Sequence, residues 1–462
     1  MKLVLPGATI LLATMVAVTG CSSGNSSHAD REERFRLIVL DPGHFHAALV
    51  QQSMYDQIDP EVHVYAPDGA ELQAYLDYIT QYNTRKEQPT AWKEQVYAAP
   101  DFLKRAGEEK SGGIAMLAGN NRYKAGYIST LVSAGLHVLA DKPMAIDRQG
   151  FEQLRQSMDE AAGKKQMLCD IMTSRYDIVN VIRKKLFQDT VVFGRLLPGT
   201  ADQPSVVSES VHHFYKTVSG KPLLRPAWYF DVQQQGEGIT DVTTHLIDLV
   251  HWTAFSDQPI DYKTDIAVGD CRHWPTVLSA EQFRKVTGLP GYPAFLNGVV
   301  KDSSLSVLSN GEINYSIKNI FARVKVSWEF AATEGAGDTH YAVFRGTACN
   351  LVTRQDKREA FRPVLYIEPA PGVDLDAWER SLQAAIESVA SEYPGVSLEK
   401  DGKSWKLLVP DRWVTSHEQQ FSSVVKKYLE YLEQKQMPAW ERSALLAKYH
   451  ITTAAQERCR IR

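Results

Sequence analysis

The spacing of apolar residues changes twice along this chain. Leu3 to Val18 is an almost unbroken apolar run. Between residues 35 and 175, short runs dominated by apolar residues recur at Phe35–Leu40, Glu61–Ala66, Gly113–Ala118, Leu136–Ala140 and Met167–Ile171. Unbroken runs this short predict strands buried on both faces, as in a parallel sheet. The segments between them predict helices starting near Ala47 and spanning Ala125–Ala134 and Phe151–Gly163, the second stopped by Gly135. Asp41-Pro42-Gly43 and Pro67-Asp68-Gly69 end the first two strands. Strand, turn, helix and strand within about 30 residues make a βαβ unit, and its repetition predicts a doubly wound parallel sheet over 35–175. Beyond Asp257 the apolar residues alternate with polar ones at Ser304–Leu308, Glu312–Ile317, Phe321–Phe330 and Tyr341–Phe344. That period predicts an open, mostly antiparallel sheet with one covered face, within a second α/β domain over 176–462. Val364–Pro410 reads as strand, helix (Leu375–Ser391) and a hairpin through Lys400-Asp401-Gly402-Lys403, and Glu418–Lys435 as a long helix.

The first apolar run is shorter than the ~20 residues of a membrane span. It follows Lys2 and ends in Val18-Thr19-Gly20-Cys21, ahead of the polar stretch Ser22–Ser27. Small residues before a cleavage point mark a secretory signal. A cysteine directly behind Thr-Gly resembles the bacterial lipobox. It implies a signal peptide over 1–20, lipid on Cys21, a flexible tether over 21–34, and an exported lipoprotein at a periplasm-facing membrane or the cell surface. No twin-arginine pair precedes the run, so the chain is expected to cross unfolded, without a prebound cofactor.

Composition narrows the remaining classes. The 462 residues carry 51 Lys+Arg against 55 Asp+Glu, a formal net charge of −4 with no nucleic-acid footprint. A hydrophobic content of 44% with 23% charged residues excludes a disordered chain and a multi-span membrane protein. The five cysteines form no CxxC pair, which argues against zinc knuckles and thioredoxin-like chemistry.

Three places carry candidate chemistry. Asp141-Lys142-Pro143 follows a predicted strand, where α/β sheets bind ligands; a solvated surface lysine is the plainer alternative. Gly236 to Trp252 reads as a glycine-rich loop feeding a helix, with Asp241, His245, Asp248 and Trp252 on one face of an otherwise apolar surface. Burying acid and imidazole costs several kcal/mol unless they are paired or used, so an Asp–His pair that only satisfies itself stays open. The third is the turn Asp41-Pro42-Gly43-His44-Phe45-His46, where a dinucleotide-binding turn wants three glycines and only Gly43 fits. Asp41 there has helix-capping chemistry and would repel a pyrophosphate, which His44 and His46 could offset. Two histidines so close also raise a metal site, but no acidic partner is evident in sequence, and no metal is expected. Asp68 sits where an acid binds ribose hydroxyls, favouring NAD over NADP.

Taken together, Asp141-Lys142-Pro143 with its lead-in Ala134–Leu139, the loop and helix Gly236–His245, Phe344-Arg345-Gly346-Thr347 and Ser174-Arg175-Tyr176 resemble the glucose–fructose oxidoreductase / inositol dehydrogenase / MocA family. The resemblance covers roughly residues 34–350 and the terminal helix; residues 363–415 have no counterpart and are expected to be an insertion. It implies a Rossmann-like dinucleotide-binding domain and an NAD-dependent oxidoreductase acting on a sugar or glycan-derived hydroxyl. It further implies Lys142, Asp241 and His245 as catalytic residues, with Asp241 orienting the imidazole of His245. Gly43, His44, Phe45, His46, Asp68, Asn120 and Lys142 would meet the cofactor, and Arg175, Tyr176, Trp228 and Asp248 the substrate. A homo-oligomer through the open sheet is a further expectation. Two other readings stay open: a redox-neutral glycosidase or lyase that retains NAD, and a glycan-binding lipoprotein whose cofactor site has decayed.

The lipobox reading carries its own test. Cys21→Ser is expected to move the protein from the membrane fraction to the soluble fraction with its far-ultraviolet circular dichroism unchanged. Continued sedimentation with membranes contradicts it.

Overall fold

The unbroken apolar runs of the first half become the interior of a parallel sheet. In the computed structural model, which describes residues 34–218, 221–333 and 336–461, strands β1 (Phe35–Leu40), β2 (Ile58–Ala66), β3 (Lys93–Ala98), β4 (Ile114–Leu117), β5 (His137–Ala140) and β6 (Leu168–Asp170) lie in the order β3-β2-β1-β4-β5-β6. Every pairing is parallel. Leu37, Ile38 and Val39 are all fully buried, which is why β1 shows no alternation. β3 was not legible in the sequence: it is an edge strand, and its polar residues suit an edge. Helices α1 (His46–Leu49), α2 (Ala70–Thr84), α3 (Phe102–Ala106), α4 (Asn121–Ser133) and α5 (Arg148–Gly163) connect the strands, and α6 (Ile178–Gln188) leads out. The signal, the tether and Cys21 lie outside the described residues; among those described, no helix is long and apolar enough to cross a membrane.

The second sheet is built from β7 (Val206–Tyr215), β10 (Ile266–Ser279), β11 (Val300–Lys301), β12 (Ser304–Ile317), β13 (Ile320–Ala331), β14 (Thr339–Arg345), β15 (Cys349–Gln355), β16 (Val364–Pro369), β17 (Ser397–Asp401) and β18 (Ser404–Leu408). A two-residue ribbon of β8 (Thr217–Val218) and β9 (Lys221–Pro222) stands apart, and α7 (Thr243–Ala254), α8 (Ala280–Thr287) and α9 (Leu375–Glu392) fall between strands. The order is β10-β12-β13-β7-β14-β15-β16-β18-β17, antiparallel except where β7 meets β13. Residues 363–415, expected as an insertion, simply lengthen this sheet, with Trp378, Leu382, Ile386 and Val389 of α9 in its core. The last helices, α10 (His417–Gln434) and α11 (Ala439–Ile461), cross back. Phe421, Val425, Tyr428 and Leu429 of α10 share a core with Leu37 and Val39. Leu445, Leu446 and Tyr449 of α11 pack on the sheet's other face, and Ala447, Ile451 and Ala455 join the core of the second sheet. The range 176–462 is therefore not confined to one sheet, and Phe35–Arg462 forms one compact unit.

β12 corrects a further expectation. The runs Ser304–Leu308 and Glu312–Ile317, taken separately in the sequence, are one strand that continues straight through Ser309-Asn310-Gly311. The glycine is there for close approach: a Cβ on Gly311 would lie 2.7 Å from Cβ of Ile239, and one on Gly238 only 1.7 Å from the Ser309 carbonyl oxygen. Two glycines thus let the 236–241 loop lie directly on β12, with Gly238 N–H donating to Leu308 O at 2.9 Å. This loop sets the height of the residues that follow it. Gly238→Ala is expected to cost roughly 1–3 kcal/mol or more through overpacking, read as a lowered urea midpoint. An unchanged midpoint would mean that the loop floats free of the sheet.

Candidate active site

Lys142 and Asp241 meet where the carboxyl end of β5 faces the 236–241 loop. Lys142 Nζ donates to Asp241 Oδ1 at 2.5 Å. The other carboxylate oxygen accepts from Gln235 Nε2 at 3.2 Å. Asn121 Nδ2 in turn donates to Gln235 O and Oε1 at 2.9 and 3.0 Å, and Lys124 Nζ to Asn121 Oδ1 and Asp141 O at 2.5 and 2.9 Å. Burial pushes the Lys124 ammonium down to about 8. Lys124, Asn121 and Gln235 were not singled out in the sequence. Lys124 did carry a signal, since it stands four residues before the buried Ile128 on the apolar face of α4.

α7 starts at Thr243, so Asp241 lies in the turn ahead of the helix and not on its face. The expected face divides accordingly. Asp241 turns to Lys142, and it does not hold the ring of His245, whose Nδ1 is buried with no hydrogen-bond partner. Burial first, and the neighbouring Lys142 second, push the His245 imidazole well below its ordinary value. Asp248, expected at the substrate, is the centre of an ion-pair cluster. It accepts from Arg175 Nε and Nη2, both at 2.7 Å, and from Lys448 Nζ at 2.8 Å. Arg175, the other charged residue expected at the substrate, also donates to both Glu441 oxygens at 2.8 Å. Tyr176 packs on the core shared with α10. Trp228 Nε1 donates to Glu71 Oε1 at 2.7 Å, so its indole N–H is engaged by the protein.

Gly43, His44 and Phe45 line a cleft of about 870 Å³, together with Ala70, Glu71, Arg225 and Tyr229. The turn that borders it departs from the expected helix cap. Asp41 adopts a φ of +48° and accepts from Tyr127 Oη at 3.0 Å; the residue preceding the four-residue α1 is Phe45, with no side-chain cap. Gly43 N–H donates to Asp41 O at 2.8 Å and His44 N–H to Ala118 O at 3.0 Å. A Cβ on Gly43 would stand 2.5 Å from Glu71 Oε2, so the glycine admits a carboxylate. Burial raises both Asp41 and Glu71, and Asp41 raises Glu71 further. Asp68 is exposed behind β2. Asn120 caps α4, accepting from Arg122 N–H at 3.1 Å, and donates to Gln234 Oε1 at 2.8 Å.

The two histidines of the turn do have an acidic partner. His46 Nδ1 lies 3.0 Å and His44 Nδ1 3.6 Å from Asp141 Oδ2, which corrects the expectation from sequence. Burial, and then His46, hold the His44 imidazole well below its ordinary value. Burial alone would raise Asp141, but His46, Lys124 and His44 keep it far below the usual carboxylate range. A further polar cluster comes from β7, which the sequence did not disclose. His212 Nδ1 and His213 Nδ1 lie 3.1 and 2.9 Å from the Asp338 carboxylate, and Lys216 Nζ also donates to it. His212 and Lys216 both feel the charge of Lys142, so the cluster borders the same seam.

Residues 182–460 match the family model described as "Putative oxidoreductase C terminal domain". No curated protein matches the chain. Among solved structures, a "putative oxidoreductase" from Parabacteroides merdae is 46% identical, with 93% of this chain and 98% of that one covered and a TM-score of 0.91. An oxidoreductase domain protein from Kribbella flavida is 12% identical over 93% and 97% of the two chains, with a TM-score of 0.61. A point variant of a 3-ketoreductase from Actinomadura kijaniata, in complex with TDP-benzene and NADP, is 14% identical over 92% and 98%, with a TM-score of 0.55. The last two likenesses are of fold. With the family model spanning more than half of the chain and the seam of Lys142 and Asp241 in place, this chain is an oxidoreductase belonging to the glucose–fructose oxidoreductase / inositol dehydrogenase / MocA type.

Proposed function

We propose that this chain is an NAD-dependent oxidoreductase that oxidises a hydroxyl of a sugar or glycan-derived molecule, held at a membrane surface through Cys21. The observation that carries the reading is the Lys142–Asp241 pair beside the unpartnered, buried Nδ1 of His245. The residues present suit a nicotinamide dinucleotide. A cleft of dinucleotide size opens at the carboxyl end of β1, a glycine stands at its edge, and Arg225 adds a positive charge. The Actinomadura structure carries NADP and TDP-benzene on the same fold. Asp68, exposed behind β2, suits ribose hydroxyls and would repel a 2′-phosphate, which favours NAD.

A bound nicotinamide would supply the hydride acceptor. The chain's own residues do the rest. His245 is neutral at physiological pH, because burial opposes its charged form, so its ring is free to take the hydroxyl proton. Lys142, aimed by Asp241, places an ammonium where negative charge develops on the reacting oxygen. Asp241 thus acts through the lysine.

Two results follow. His245→Ala and Lys142→Ala are each expected to lower turnover by ~10²–10⁴-fold with NADH affinity nearly intact, measured by steady-state kinetics and fluorescence titration. Equal loss of cofactor binding in both variants contradicts the assignment. Glu71→Gln keeps an acceptor for Trp228 and removes a charge beside Gly43. It is expected to tighten NADH binding about tenfold, or ~1.4 kcal/mol. Since the carboxyl of Glu71 is raised, the wild type loses that charge first as pH falls, and the gain shrinks towards acid pH. Weaker binding in Glu71→Gln would make the carboxylate a cofactor ligand.

A further inference from the structure

We propose that His44, His46 and Asp141 form a site for one divalent transition-metal ion of the zinc class, with open coordination positions at the cleft that His44 lines. The three groups offer one donor atom each, all within 4.8 Å of one another. In a tetrahedral site with bonds near 2.0 Å, ligand atoms stand about 3.3 Å apart. Asp141 Oδ2 already lies 3.0 Å from His46 Nδ1 and 3.6 Å from His44 Nδ1, so the two histidines need only small shifts to share an ion with it.

A simple hydrogen-bonded pair explains half of this arrangement. Asp141 satisfies His46, but at 3.6 Å the ring of His44 is out of hydrogen-bond range of the same oxygen, and its Nδ1 accepts only a long 3.4 Å bond from the His46 backbone N–H, which an ion would displace. Both imidazoles nevertheless converge on it, with their rings edge to face and centroids 4.3 Å apart. The surroundings hold the donors in place. Asp141 Oδ1 accepts from Lys142 N–H at 2.9 Å, which leaves Oδ2 turned to the histidines. The ring of His46 stacks on His417 at 5.1 Å and abuts Phe421 at 5.7 Å. Two imidazoles and one carboxylate suit zinc, iron(II) or nickel better than magnesium or calcium. Three protein ligands leave at least one position for an oxygen ligand, water or anionic, as in sites where a metal takes part in binding or chemistry. The site lies beyond the proposed dehydrogenase reading and does not depend on it.

The test uses the full chain, stripped with EDTA, dialysed and titrated with zinc chloride against a chromophoric chelator. One ion per chain is expected with a Kd under ~1 μM. His46→Gln and His44→Gln are each expected to weaken binding at least ~10-fold. His212→Gln, whose ring pairs with Asp338 instead, is expected to leave binding unchanged. Zinc-edge X-ray absorption of the loaded wild type reports two imidazoles with oxygen. No binding tighter than ~100 μM, full affinity in His46→Gln, loss of binding in His212→Gln, or sulfur in the first shell would each overturn the site. NADH binding by the stripped protein is read separately, so failure here leaves the dehydrogenase reading standing.

Discussion

The carboxylate of Asp248 is only 3% exposed, and the arrangement of the seam depends on how its charge is met. Arg175 reaches it from the end of the parallel sheet, and Lys448 from α11. Lys448 also pairs with Asp170 at the end of β6, and Arg175 with Glu441, so four elements converge on three acids and two bases. A buried ion pair adds little net stability over an apolar packing of equal volume, but breaking one partner out of it costs about 3–5 kcal/mol. What the cluster therefore fixes is position. α7 cannot slide along the parallel sheet without exposing an unpaired charge to a dry interior. His245 stands one turn before Asp248 on the same helix, and Asp241 in the turn ahead of it. The apolar close approach of Gly238 and Gly311 sets their height over β12, and the ionic cluster sets their place along the seam.

The chemistry at the seam follows from unequal burial. Lys142 has a carboxylate partner, so its ammonium stays aimed. His245 has none, and its surroundings favour the neutral ring. In the proposed reaction one group would act as the electrophile and its neighbour as the base, the division of labour that removing a proton and a hydride from one carbinol requires. The turn after β1 works differently from a glycine-rich dinucleotide turn. Its Gly43 and His44 amides bond within the protein, Asp41 and Glu71 stand close by, and its histidines gather on Asp141.

The sequence disclosed what short-range patterns control. β1, β2, β4, β5 and β6 were legible because burial on both faces leaves unbroken apolar runs. Lys142 and Asp241 were legible because each follows a recognisable strand or loop. β7 was not: Val206-Val207 is apolar, but Ser208, Ser210, His212 and His213 carry polar groups into the interior, where partners such as Asp338 lie more than a hundred residues away. Asp41 looked like a helix cap because nothing local reveals Tyr127, and the ion pairs of Arg175 and Asp248 were hidden because nothing local reveals Lys448 and Glu441. Gly311 separates two alternating runs in the sequence, whereas its role is set by Ile239 of the loop that lies on β12. In each case a long-range partner overrode a local signal.

If this seam moves a hydride between a sugar carbon and a nicotinamide, a deuterium on that carbon travels with it. The most direct measurement follows the label. The protein is incubated with NAD and a panel of pyranosides deuterated at single ring carbons, and the recovered dinucleotide and sugars are analysed by mass spectrometry and NMR. Deuterium from one ring position of at least one sugar is expected at C4 of the nicotinamide, and none with the His245→Ala protein. Sugars that keep their deuterium while the protein still converts them, or transfer that persists undiminished without His245, would contradict it.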